Sequence, residues 1–158
     1  MITNRDLACI GLATGCVCPR REVDGAVRGA WLWERRPGCG ASVVPLRRLV
    51  RRWTLAAVAD EEVGESIVLA VDEAVSNAVE HAYRDVTGDV QVLAVPRPCG
   101  HGVAVVVEDQ GVWRAPAADP GFRGRGLALI DELADQHSIT ASAAGTTIRM
   151  CWRTLVRT

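Results

Sequence analysis

The chain has 158 residues, 49% hydrophobic and 23% charged, and its 18 basic against 19 acidic residues leave a formal charge of −1. That composition suits one soluble globular domain with a full core. All 18 basic residues are arginine, so mechanisms that need a lysine are excluded: Schiff bases, the Walker A lysine and the strand lysine of protein kinases. The charge is unevenly spread, with +6 over residues 1–58 and −7 over residues 59–158. Because the better-patterned part is the acidic one, direct nucleic-acid binding is not expected.

Residues 1–26 read as a leader of unassigned structure. Leu7 to Cys18 is a modestly apolar run behind Arg5, but Asp6 sits where a secretory signal carries only positive charge. A disordered leader or a start codon upstream of the true one fits equally well. Cys9, Cys16, Cys18, Cys39, Cys99 and Cys151 form no Cys-x-x-Cys pair and no zinc spacing with histidine, so they read as thiols in a reducing cytoplasm. The longest apolar run of consequence, Val103 to Val107, is far short of the roughly 18–20 residues of a spanning helix. No membrane span is expected.

A single domain is expected over residues 27–153, followed by a tail at 154–158. Val27 to Glu34 has the β-branched and aromatic character of a strand, ended by Arg35-Arg36-Pro37-Gly38. Pro45 opens an amphipathic helix to about Ala59, with Leu46, Leu49, Val50, Trp53 and Leu55 at helical spacing and Arg47, Arg48, Arg51 and Arg52 on the other side. Asp60 is the expected N-cap of a second, alanine- and valine-rich helix reaching about Tyr83. Thr87-Gly88-Asp89 turns the chain into strands Val90–Val95 and Val103–Glu108, joined by a hairpin loop. The second of these is apolar at nearly every position and reads as central. Residues 110–123 form a 14-residue loop without periodicity, long enough to expect a function. A short helix over Leu127 to Ala134 and a hairpin of His137–Ser142 with Thr146–Trp152 complete the order. The pattern predicts a mixed or antiparallel sheet with helices on one face.

Three clusters carry chemistry. On the second helix Glu73 and Asn77 differ by about 40° around the axis, so a carboxylate and an amide point at one object. A carboxylate can take a proton from a hydroxyl, and an amide oxygen is a hard ligand suited to Mg²⁺; the same residues also suit the solvated face of an amphipathic helix. Asp109 follows an apolar strand and precedes Gly111. It can accept from an exocyclic amine such as adenine N6 while glycine lets the backbone approach a base, or it can simply make a turn. Gly124-Arg125-Gly126 at a helix start offers backbone N–H groups and the positive dipole end to a phosphate, or serves as a hinge. Together they supply one nucleotide site that requires no lysine.

At this point the sequence resembles the ATP-binding domains shared by GHKL ATPases and kinases, and within them the anti-sigma-factor serine kinases of the RsbW and SpoIIAB type. The match is closest over the N-box, Leu69 to Tyr83. Asp109-Gln110-Gly111-Val112-Trp113 corresponds to the family's Asp-x-Gly-x-Gly box, with Trp113 in place of the second glycine. Gly124 to Ile130 corresponds to the last box, and Gly145-Thr146-Thr147 resembles the closing hairpin.

The resemblance implies a two-layer α/β (α+β) sandwich of the Bergerat type, with a mixed, mostly antiparallel sheet. It implies Glu73 as general base, Asn77 as Mg²⁺ ligand and His81 near the phosphates. Asp109 and Gly111 would serve the adenine, with Thr146 carried toward it. Arg123, Gly124, Arg125, Gly126 and Leu127 would serve the phosphates under a lid formed by residues 110–123. The implied cofactors are ATP and Mg²⁺. The implied activity is that of a cytoplasmic, bacterial serine/threonine-protein kinase acting on a STAS-type anti-anti-sigma protein and holding an RNA polymerase sigma factor, with a tendency to form a homodimer. The arginines of the first helix are a candidate contact surface. The alternative, allowed by Trp113, is an ATP-binding regulatory module that holds its partner without phosphotransfer.

Overall fold

The computed structural model describes residues 31–82, 87–97, 101–111 and 126–157, the side chain of His81 excepted. In chain order the elements are β1 (Leu32–Pro37), α1 (Gly40–Ala57), α2 (Glu61–Asn77) continued by a π-helical turn (Ala78–Ala82), β2 (Asp89–Pro96), β3 (Val103–Asp109), α3 (Gly126–Leu133), β4 (Gln136–Ser142) and β5 (Gly145–Trp152). The strands form one five-stranded sheet in the order β1-β2-β3-β5-β4, and every adjacent pair is antiparallel. The α+β sandwich expected from the pattern is the fold, and among the described strands no pair is parallel.

Side-chain alternation sorts the sheet into two faces. Val90, Val92 and Ala94 of β2, Val103, Val105 and Val107 of β3, and Ile148, Met150 and Trp152 of β5 face the helices. They form one core with Leu46, Val50, Trp53 and Ala57 of α1, Ile67, Ala70, Val71, Ala74 and Val75 of α2, and Ile130 of α3. Alanine at two of the α2 positions, Ala70 and Ala74, keeps that helix close to the sheet. On the opposite face Leu93, Val95, Ala104 and Val106 form a smaller buried cluster. Residues Val103 to Val107 of β3 are therefore buried on both faces, which is why this strand reads as an unbroken apolar run.

Three boundaries differ from the sequence expectation. The described part of β1 runs on to Pro37 instead of stopping at Glu34. It is an edge strand, where proline costs no ladder bond and the arginines alternate outward: Arg35 meets Asp89 at 2.8 Å and Arg36 meets Glu34 at 2.7 Å. Residues 27–30 lie outside the described residues. Helix α1 begins at Gly40, and Pro45 lies inside it. The Ser42 N–H donates to the Cys39 carbonyl at 2.9 Å, and Pro45 removes one bond near the start while buried Ser42 and Leu46 anchor the turn. Helix α2 ends its α-helical winding at Asn77, and a π turn takes it to Ala82; Tyr83 lies outside the described residues.

Local signals elsewhere act as expected. Asp60 Oδ1 accepts the N–H groups of Glu62 at 2.9 Å and Val63 at 3.2 Å, and Glu61 and Glu62 favour the positive end of the α2 dipole. Two ion pairs tie α1 to α2: Arg47 grips Asp72 with two bonds of 2.6 and 2.7 Å, and Arg51 reaches Glu65 at 3.4 Å. The Trp152 Nε1–H donates to the Leu133 carbonyl at 2.7 Å, fixing the C-terminus of α3 to the sheet. Among the described residues no helix is long and apolar enough to cross a membrane, and Cys39 and Cys151 form no disulfide with one another.

Candidate functional site

Glu73 and Asn77 lie one turn apart on α2, partly buried, and neither side chain has a hydrogen bond or ion pair among the described residues. Both face the first residue of α3. A Cβ built on Gly126 would overlap Glu73 Oε1 and lie 2.8 Å from Asn77 Nδ2. A free carboxylate, a free amide and the positive end of a helix dipole thus meet at one place. Leu127, next on α3, is partly buried and packs against the core, so it anchors the helix start. Arg123, Gly124 and Arg125, and the loop from 112 onward that was expected to form the lid, lie outside the described residues.

Asp109 stands at the end of β3, in register with Val90 on one side and Thr146 on the other. Its Oδ1 accepts two backbone N–H groups, from Gly111 at 2.9 Å and Thr146 at 3.3 Å. The Thr146 side chain also donates to this carboxylate, whose two oxygens carry about four lone-pair sites, so Oδ2 can still accept from an exocyclic amine. Burial pushes the Asp109 carboxyl above the ordinary carboxylate range, against the hydrogen bonds from Gly111 and Thr146, which favour the ionised form.

Two glycines make this corner possible. Gly111 lies so close to the end of the π turn that a Cβ there would overlap both the methyl and the carbonyl oxygen of Ala82. Gly145 has φ +130°, a conformation that side chains avoid, and a Cβ on it would overlap the Asp109 carbonyl oxygen. Buried Thr146 follows at once. Gly145 was not among the expected site residues, although the Ala144-Gly145 step between two strands marks the turn that needs it.

The π turn bears on His81. An unbroken α-helix would line up residues 73, 77 and 81 along one stripe, but i→i+5 winding from Ala78 interrupts that spacing. The side chain of His81 lies outside what the structure describes.

The donor set is compatible with Mg²⁺ carried by a nucleotide. No group of three or more His, Cys, Asp or Glu side chains that could hold a metal exists among the described residues. The unpartnered Asn77 amide offers one hard oxygen, and Mg²⁺ ordinarily takes few protein ligands, completing its shell with phosphate and water. A cavity of about 260 Å³ opens at the sheet, lined by residues including Arg35, Gln91, Glu108 and Thr147, and it reaches Asp109 and Gly145. Glu73, Asn77 and Gly126 are not in its wall.

The comparisons with known proteins agree with this fold. Residues 39–152 match the family model described as the histidine kinase-like ATPase domain. Among solved structures, the RsbU and RsbW domains of Rv1364c from Mycobacterium tuberculosis share 29% identity at a TM-score of 0.64, over 82% of this chain and 33% of that one. This chain thus spans about a third of that protein's length. The histidine kinase domain of the blue-light activated histidine kinase EL346 from Erythrobacter litoralis shares 21% identity at a TM-score of 0.53, over 73% of this chain and 60% of that one, a likeness of fold. With the match running over most of its length, the chain belongs to the family of histidine kinase-like, or GHKL-type, ATPase domains.

Proposed function

We propose that the chain is an ATP-dependent protein serine/threonine kinase that phosphorylates a STAS-type anti-anti-sigma protein and sequesters a sigma factor, in a bacterial cytoplasm. The observation that carries the reading is the convergence of unpartnered Glu73 and Asn77 on Gly126 at the start of α3. The RsbW domain named in the Mycobacterium structure supports the choice of partners.

Bound Mg-ATP would supply the phosphoryl group and the metal that spreads its charge. The chain's own residues do the rest. Asp109 Oδ2 accepts from the adenine amine while Gly111 and Thr146 hold Oδ1. The Asn77 amide oxygen takes one place in the metal's shell. N–H groups at the start of α3 meet phosphate oxygens. Glu73, with no competing partner among the described residues, orients the incoming serine hydroxyl and accepts its proton.

The contact surface expected on α1 is refined by the ion pairs. Arg47 and Arg51 are engaged by Asp72 and Glu65 of α2. Exposed Arg48 and Arg52 have no ion pair among the described residues, and Val44 and Leu55 beside them are 46% and 59% exposed. These four residues are the surface assigned to the partner.

Labelled γ-phosphate should appear on a cognate STAS protein and disappear with Glu73→Ala while nucleotide still binds. Asn77→Ala and Asp109→Ala should weaken Mg-ATP binding, and unchanged affinity in both would overturn the site. The second reading, partner binding without phosphotransfer, is favoured by Trp113 in the place of a glycine. ATP binding with no transfer to any candidate antagonist would select it.

A further inference from the structure

Gly126 opens α3 without needing glycine for its backbone. Among the described residues only Gly102 and Gly145 have positive φ, so position 126 has a conformation open to any residue. A side chain at 126 would meet two groups of α2: it would overlap Glu73 Oε1 and crowd Glu73 Cδ, 2.7 Å away, and Asn77 Nδ2, 2.8 Å away.

We propose that Gly126 is a positioning residue whose bare α-carbon is the surface against which the Glu73 carboxylate and the Asn77 amide are set. This rests on the reading of Glu73 as base, and adds that α3 orients that base by contact as well as offering its N–H groups to phosphate. The overlapped atoms are the ends of side chains, so a methyl group here leaves the fold standing and turns Glu73 aside.

The test is a double-mutant cycle of Gly126→Ala with Glu73→Asp, whose carboxylate is withdrawn by one methylene from the volume a Cβ would fill. The chain should remain folded in Gly126→Ala, with its melting temperature close to that of the parent. Mg-dependent hydrolysis of γ-labelled ATP should fall on the order of a hundredfold, the usual consequence of misplacing a reacting group by about 1 Å. Glu73→Asp should lower hydrolysis in the parent and raise it in the Gly126→Ala background. Losses that simply multiply, as for independent sites, would overturn the proposal.

A second measurement is independent of activity. In protein labelled with ¹³C at the glutamate carboxyl carbons, the Glu73 resonance, identified by its loss in Glu73→Ala, should move in Gly126→Ala. An unmoved resonance overturns the contact whatever the activity. A parent that transfers no labelled phosphate to any candidate STAS protein, together with a moved resonance, refutes the kinase reading and leaves the contact standing.

Discussion

Asp109→Asn isolates recognition of the base. Asparagine keeps Oδ1, which can still accept the N–H groups of Gly111 and Thr146 at 2.9 and 3.3 Å, so the corner between β3 and β5 retains its geometry. Oδ2 becomes an NH₂ group, and an adenine amine that found an acceptor there now meets a donor. Losing a hydrogen bond to a charged group costs about 1.5–3 kcal/mol, which corresponds to roughly 10- to 150-fold weaker binding. Guanine presents a carbonyl oxygen where adenine presents the amine, so the same change should improve binding of GDP relative to ADP. Stability should move the other way. Burial raises the folded-state pKa of Asp109 above its ordinary value of 3.8, so ionisation is easier in the unfolded chain. The stability attached to this group is therefore lost as pH rises from about 3.8 through the raised folded value, and a neutral asparagine removes that loss. Calorimetric titration with ADP and GDP, beside thermal unfolding between pH 3 and pH 7, reads both effects. Unchanged ADP affinity with no relative gain for GDP would refute the assignment of Oδ2 to the base.

Other consequences follow from the packing. Gly111→Ala drives a methyl into the backbone of Ala82 and should cost about 1–3 kcal/mol, read as a lowered melting temperature with or without nucleotide. Gly145→Ala, at φ +130°, should destabilise similarly and also weaken nucleotide binding, because its neighbour is the Asp109 carbonyl. Asp135 is opposed by burial, but bonds to the Arg153 N–H and guanidinium and the nearby charge of Arg97 leave its carboxyl below the ordinary value. Asp135→Asn should therefore lower stability near neutral pH by about 1 kcal/mol or less. The difference should fade as pH falls through the folded pKa, as denaturant midpoints at pH 7 and pH 3 would show. Trp152→Phe removes the bond to the Leu133 carbonyl and should cost about 1–2 kcal/mol, read as a lowered melting temperature.

Much of the fold was legible because its signals are local. Asp60 caps α2, the apolar spacing of α2 marks its buried face, and the unbroken valines of β3 mark a strand covered on both sides. The clusters at Glu73, Asp109 and Gly126 were legible as residue types at the ends of elements. That they supply one site was expected from their types, but the close approach of Gly126 to Glu73 and Asn77 was not legible, since it depends on how α3 docks on α2. The π turn left no trace in a pattern that continues at intervals of three and four through Ala82. Pro45 misled because it is tolerated near a helix start, and Arg35-Arg36-Pro37 misled because an edge strand accepts both charge and proline. Gly111 and Gly145 look alike in sequence, yet one is required by a neighbouring helix and the other by its own backbone angle.

β3 has a hydrogen-bonded neighbour on each side and apolar cover on both faces, and this bears on how the two halves of the site loosen. Amides of Val103 to Val107 should exchange with solvent only through opening of the whole domain, at rates that report its global free energy. Asp109 at the end of that strand is therefore held by the slowest-exchanging part of the molecule. The Glu73–Gly126 contact depends instead on an eight-residue helix fixed to the sheet at its far end by Trp152. Local opening of that helix can release the proposed phosphate side of the site while the proposed base side stays formed. Exchange measured in the presence of a nucleoside, and then of its diphosphate, would see protection arrive on the two sides separately.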